Sequence, residues 1–196
     1  MTLAPDAALP QVAGDLPAEA RRQAGERALV RAAQRGSAEA FGELFRRHWP
    51  RAHRAAYLVV HDAAAAEDIA QEAFLAAARA LDRFDRRRPF APWLHRIVVN
   101  RAIDWSRARE VRREVAAAEA SPAVEAADTA AAPGDELLHA LAGLPPEQRA
   151  VIVMRHLLEL TPSEIAHALE LPRGTVNSRL RRGLDGLQGA LEGWER

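Results

Sequence analysis

Residues 160–187 read LTPSEIAHALELPRGTVNSRLRRGLDGL, and the reading of this stretch decides the fold. Thr161-Pro162-Ser163-Glu164 has the form of a capping box. The Thr161 hydroxyl can accept from the amide three residues on, Glu164 can reach back, and Pro162 fits the first helical position, where its missing N–H is not needed. A short helix over about 162–170, apolar on one side through Ile165 and Leu169, stops at Leu171-Pro172-Arg173-Gly174. A second helix follows at once, over about 172–191, with Val176, Leu180, Leu184, Leu187 and Leu191 expected on its buried face. Helix, tight turn and helix at this length form the helix-turn-helix arrangement, whose second helix can enter the major groove of DNA. Advancing about 100° per residue from Val176, Ser178 and Arg182 fall nearly opposite that face, with Thr175 and Arg181 at their flanks. Arg173 to Arg182 holds four arginines and no acid. Arginine suits bidentate contacts to guanine, and Asn177 can pair with adenine if its orientation permits. This half alone also fits an ordinary helical hairpin with a solvated arginine face.

Working outward, Leu137, Leu138 and Leu141 precede a Pro145-Pro146 break, and Gln148 to Leu158 predicts a further helix through Val151, Ile152 and Met154. Upstream of that unit lies a stretch of Ala, Glu and Pro, with large apolar residues only at Val115 and Val124, which reads as an acidic linker. Charge is segregated on either side of its start. Arg79 to Arg113 holds eleven arginines against Asp82, Asp85, Asp104 and Glu110, whereas Glu114 to Asp135 holds five acids and no base. The basic block suggests a polyanion-binding surface, and two solvated faces are the plainer reading of the same pattern. Within the first unit, helical patterns run from Glu26 to the Gly36-Ser37 break, then on to Val60 with a kink or break expected at Pro50. A third helix spans about 64–84, with Ile69, Ala73, Ala77, Ala80 and Phe84 on one face. FDRRRPFA at 84–91 is a basic loop, and a fourth helix spans about 92–113. Strand alternation is nowhere visible, so the fold class is all-α: two small helical domains and a linker.

A chain of 196 residues suits two such domains, each with a modest core. All 27 basic residues are arginine, and there is no cysteine for a disulfide framework, thiolate metal cluster or thiol switch. Neither a secretory leader nor an apolar run long enough to span a membrane is visible, which predicts a cytoplasmic protein. Walker, GxGxxG and GxSxG motifs are missing, and His48 and His53 lack the spacing of a helical zinc pair. No catalytic residue, metal or cofactor is therefore expected.

The quoted C-terminal stretch resembles the promoter-binding domain of extracytoplasmic-function (ECF) sigma factors of the sigma-70 family. EDIAQEAFLAAARALDRF at 67–84 and FAPWLHRIVVNRAIDWSRAR at 90–109 resemble the N-terminal domain of the same family. Both halves, in this order, make the match specific. The resemblance implies a tail at 1–25, a region 2-like domain at 26–113, a linker at 114–134 and a region 4-like helix-turn-helix domain at 135–196. It implies that Arg173, Thr175, Asn177, Ser178, Arg181 and Arg182 face the minus-35 element. Arg86, Arg87, Arg88, Phe90, Asn100 and Arg101 would serve the minus-ten element, with Arg107, Arg109, Arg112 and Arg113 as further phosphate contacts. Asp68, Gln71, Glu72 and Leu75 would dock on core RNA polymerase. Phe84 reads as core, because it continues a buried stripe, and Asp104 as a structural anchor.

The implied partners are core RNA polymerase, through its β′ clamp helices and β flap, promoter DNA, and an anti-sigma factor. No membrane insertion is implied, and within holoenzyme the protein would be nucleoid-associated. The acidic linker resembles the segment that enters the polymerase channels. Three departures stand out: the family often has an aromatic where Pro162 stands, Gly where Glu170 stands, and a basic residue where Asn177 stands. A free-standing helix-turn-helix regulator is the rival reading, and it leaves the basic loop and the acidic patch of the first domain unused.

Overall fold

Helices begin where the sequence places an oxygen to meet orphan backbone amides. In the computed structural model, which describes residues 18–119 and 136–194, Ser37 accepts from the Ala40 amide at 3.2 Å and starts α2 (Ala38–Val60). Asp62 accepts from the Ala65 amide at 3.0 Å and starts α3 (Ala63–Ala80). α1 (Ala18–Gln34) precedes them, and a 3₁₀ turn (Leu81–Arg83) and the arginine loop lead into α4 (Phe90–Glu119). The second unit comprises α5 (Glu136–Ala142), α6 (Pro146–Ile152) continued by a π turn (Val153–Leu157), α7 (Pro162–Leu169) and α8 (Arg173–Trp194). Among the described residues there is no strand.

The abundance of alanine has a packing consequence. Ala52, Ala55 and Ala56 of α2 are buried with Ala66, Ala70, Ala73 and Ala77 of α3, so the two backbones approach closely, and larger side chains (Leu44, Phe74, Leu94, Val98, Val99) fill the spaces beside them. Pro50 does not break α2. It sits on the exposed side, while Leu44, His48, Ala52 and Ala55 are buried on either side of it, and that burial outweighs the roughly 3 kcal/mol an interior proline costs.

The expected boundaries shift at three places. α1 begins at Ala18, inside the expected tail, and 1–17 lie outside the described residues. α4 continues to Glu119, through the first residues of the expected linker, because Glu-Val-Ala-Ala-Ala-Glu is good helix-forming sequence; the rest of that linker lies outside the described residues. In α8, Leu184 is exposed and Gly183 takes its place in the buried face. A Cβ on Gly183 would stand 2.6 Å from Ile152 Cδ1, so α8 approaches α6 closely there and rotates Leu184 outward.

The two units pack on each other. α2 and α4 of the first meet α5, α6 and α7 of the second, and Val30 through Ile103 share one hydrophobic cluster with Ala150 through Val176.

Candidate nucleic-acid interface

The turn before α7 is built as the sequence predicts. Glu164 N donates to Thr161 Oγ1 at 3.3 Å, and the Thr161 amide and hydroxyl each donate to Glu164 Oε2 at 2.7 Å. These two hydrogen bonds from Thr161 hold the Glu164 carboxyl below its ordinary pKa. α7 ends at Leu169, capped by Glu170, a left-handed residue with φ 55°, and α8 starts three residues after that cap. Along α8, Arg173, Asn177, Arg181 and Arg182 are exposed, with Thr175 and Ser178 half-buried between them. Ser178 Oγ donates to the Thr175 carbonyl at 2.9 Å. Of the six residues expected to face the minus-35 element, four are thus exposed and two half-buried, while Val176 between them is fully buried.

The arginine loop is shaped by its own Asp85 and by Gln34 of α1. Asp85 accepts from the Arg87 amide at 3.0 Å, and its own carbonyl accepts from the Arg88 amide at 2.9 Å, which closes a turn presenting Arg86, Arg87 and Arg88 outward. From α1, Gln34 Nε2 donates to the carbonyls of Leu81 and Phe84 at 2.9 and 3.0 Å. An open hollow of about 620 Å³ results, lined by Gln34, Asp82, Phe84, Asp85, Arg86 and Arg87. Its dimensions and mixed polarity suit an unstacked base beside its phosphate. Gln34 and Asp85 were not among the candidates, since nothing in the local pattern links Gln34 to a loop about fifty residues away.

Phe90 corrects an expectation. At 1% exposure it is core, packed against His48, Phe84 and Trp93 at centroid distances of 5.3, 5.9 and 5.5 Å, so it supports the loop from beneath and cannot touch a base. Phe84 is buried as expected. Asp104 is corrected in the other direction: it is exposed, with only a 4.0 Å pairing to Arg107.

On α4 the buried positions are Phe90, Leu94, Val98, Ala102 and Ser106, together with His95, Val99 and Ile103. Burial pushes the His95 imidazole down to about 3, reinforced by the neighbouring His48 and Arg51, so this ring is neutral at pH 7. The neighbouring stripe, through Trp93, Asn100 and Arg107, faces the second unit. Asn100 Nδ2 stands 3.5 Å from the Ala168 carbonyl, and Arg107 Nε donates to Glu147 at 2.9 Å. Arg101 turns toward α3 and pairs with Glu72 at 2.6 Å. Arg109 pairs with Asp62 at 3.4 Å and lies over the Trp105 ring, while Arg112 and Arg113 are exposed.

On α3, Asp68, Gln71 and Glu72 are exposed around Leu75, itself 57% exposed, giving an acidic patch with an apolar centre. No helix among the described residues is long and apolar enough to cross a membrane. Nor do they contain a cluster of His, Asp and Glu able to hold a metal.

Comparison with known proteins agrees with this geometry. Residues 44–112 match the family described as Sigma-70 region 2, and residues 134–185 match Sigma-70, region 4. The chain is 31% identical over 176 residues to the ECF RNA polymerase sigma factor SigW of Bacillus subtilis, covering 83% of this chain and 94% of SigW. It is 33% identical over 165 residues to the ECF RNA polymerase sigma factor SigM of Mycobacterium tuberculosis, covering 83% and 82%. Among solved structures it is similar to CnrH in complex with the cytosolic domain of CnrY, with a TM-score of 0.64 and 30% identity, covering 86% of this chain and 98% of CnrH.

Proposed function

The chain belongs to the extracytoplasmic-function sigma factors of the sigma-70 family, and from that premise we propose which of its surfaces carry out promoter-specific initiation. Sigma factors of this kind join core RNA polymerase and direct it to promoters. The match over residues 44–112 gives the first domain a role that a free-standing helix-turn-helix regulator would not need.

The α8 face from Arg173 to Arg182 reads the minus-35 element, with Arg181 and Arg182 at guanine edges or phosphates and Asn177 as an adenine candidate. The loop at Arg86 to Arg88 holds phosphates of the melted minus-ten strand, and the Gln34–Asp85 hollow beside it receives an unstacked base. Asn100 and Arg101 complete that surface once their present partners are displaced. Asp68, Gln71, Glu72 and Leu75 dock on polymerase, since an acidic rim around one exposed apolar side chain suits a protein partner better than DNA. The protein catalyses nothing itself, works in the cell interior beside the nucleoid, and is restrained by an anti-sigma partner, as the CnrH–CnrY complex suggests.

The observation that carries this reading is the pairing of a free, acid-free α8 face with an arginine loop on a separate unit of the same chain. It is tested by promoter spacing. Clamped on one polymerase, the two units have a fixed separation and phase, so inserting about half of a 10–10.5 bp turn between the elements should abolish transcription although each element is intact. A flat dependence on spacer length would exclude this mode of promoter recognition.

A further inference from the structure

The arginine loop carries no cap for the helix it leads into. Pro89 stands just before α4 and has no side-chain oxygen for the orphan amides there, and Pro92 in the first turn has no amide at all. Phe90 opens the helix and is 1% exposed, so its amide is buried at a place where its own helix supplies no acceptor. A carboxylate from α1 fills that place: Glu26 accepts from the Phe90 amide.

The carboxylate is itself held. His48 Nε2, on α2, lies 3.0 Å from Glu26 Oε2, and the His48 ring packs against the Phe90 ring at 5.3 Å, so one imidazole steadies both members of the contact. His48 is the largest influence on the Glu26 carboxyl. Together with the Phe90 amide and Arg47 it holds that group below its ordinary pKa, against burial that would raise it. Glu26 is therefore an anion at the N-terminus of a helix of 30 residues, the end where the helix dipole favours one.

The other end of the loop is tied to the same helix. Gln34 donates to the Leu81 and Phe84 carbonyls at 2.9 and 3.0 Å, and it stands about 12 Å from Glu26 along α1. Between these two attachments Asp85 to Pro89 are all exposed, with only the Asp85 turn to shape them from within. Arg86 and Arg88 join Glu26 and Phe90 round a cavity of about 30 Å³, room for one water, so the arginines and the tether share a wall.

We infer that α1 is a two-point splint for the arginine loop: Glu26, steadied by His48, and Gln34 are positioning residues that set where Arg86, Arg87 and Arg88 stand. Glu26, with its side chain 19% exposed, acts through Phe90 and the loop and not on nucleic acid. The service of this splint to a melted strand rests on the promoter reading above, whereas the splint itself can be measured on the free protein.

Three variants separate positioning from general stability. Glu26→Ala removes the acceptor, and Glu26→Gln keeps a side-chain oxygen for the Phe90 amide. Val59→Ala, at a fully buried site of α2 outside these contacts, destabilises the same unit with the splint intact. Amide exchange followed by NMR on the free chain is read as the ratio of Phe90 to Val98, both on α4, so that global opening cancels. The ratio should rise about tenfold or more in E26A, the scale of a lost hydrogen bond to a charged group, fall back most of the way in E26Q, and stay at the parent value in V59A. In reconstituted holoenzyme, permanganate reactivity of the minus-ten region should drop about tenfold in E26A and recover in E26Q. V59A should keep it, and binding of a minus-35 duplex should be equal in all three.

An E26A exchange ratio equal to that of the parent would overturn the splint, whatever the loop binds. A raised ratio with strand opening no lower in E26A than in V59A would overturn the claim that the splint serves strand capture. Failure of the promoter reading shows separately, as undiminished strand opening when Arg86, Arg87 and Arg88 are all changed to Ala.

Discussion

Replacing Phe90 separates a core residue from a base-reading one. The ring is 1% exposed, contacts His48, Phe84 and Trp93, and stands at the start of α4, where the Phe90 amide donates to the Glu26 carboxylate. Phe90→Ala should therefore cost about 3–5 kcal/mol, the range for truncating a buried aromatic in a core that relaxes only partly. Against a domain stability on the order of 5–15 kcal/mol, that leaves the N-terminal unit marginal. Phe90→Leu conserves most of the apolar volume and should cost less than about 1.5 kcal/mol. Urea titration followed by far-ultraviolet circular dichroism measures both, and permanganate reactivity of the promoter in reconstituted holoenzyme reports strand opening. The expected result is that strand opening tracks stability: Phe90→Leu stays within about twofold of the parent chain, and Phe90→Ala fails by unfolding. If Phe90→Leu keeps its stability but loses strand opening by an order of magnitude, the ring touches a base and the structural assignment is wrong.

Two other perturbations test the packing. His95 is held neutral with its pKa near 3, whereas an unfolded chain takes up a proton below about 6.5. Stability should therefore fall as pH drops from about 6.5, by about 2 kcal/mol at pH 5, and His95→Leu should remove that component of the slope in urea melts; an unchanged slope would count against it. Gly183→Val places a side chain where a Cβ already meets Ile152 Cδ1 at 2.6 Å, so the melting temperature should drop with a cost of about 1–3 kcal/mol, partly recovered by Ile152→Val; equal melting of the parent and single-variant chains would refute the close α6–α8 approach.

Much was legible in the sequence because its signals are local. A capping box spans four residues, an amphipathic face repeats within two turns, and Pro172 and Gly174 punctuate the chain where the helix-turn-helix bends. Hence the helix order, the organisation into two helical units and the buried Phe84 agree with the structure. The misplacements share a cause. Phe90 opens a helix beside an arginine run, so its surroundings in sequence look exposed, and only Glu26, His48 and Trp93 closing over it make it core. Leu184 fits the apolar period of α8, but the closest contact between α6 and α8 falls at Gly183 and rotates the face by one residue.

The stripe through Trp93, Asn100 and Arg107 was visible as a stripe from its spacing, yet spacing cannot say what covers it. Its partners, Ala168 and Glu147, are 68 and 40 residues away in the chain. Periodicity along one helix determines which side chains share a face. Which element meets that face is decided by the joint packing of all of them, a property that no single segment of sequence carries.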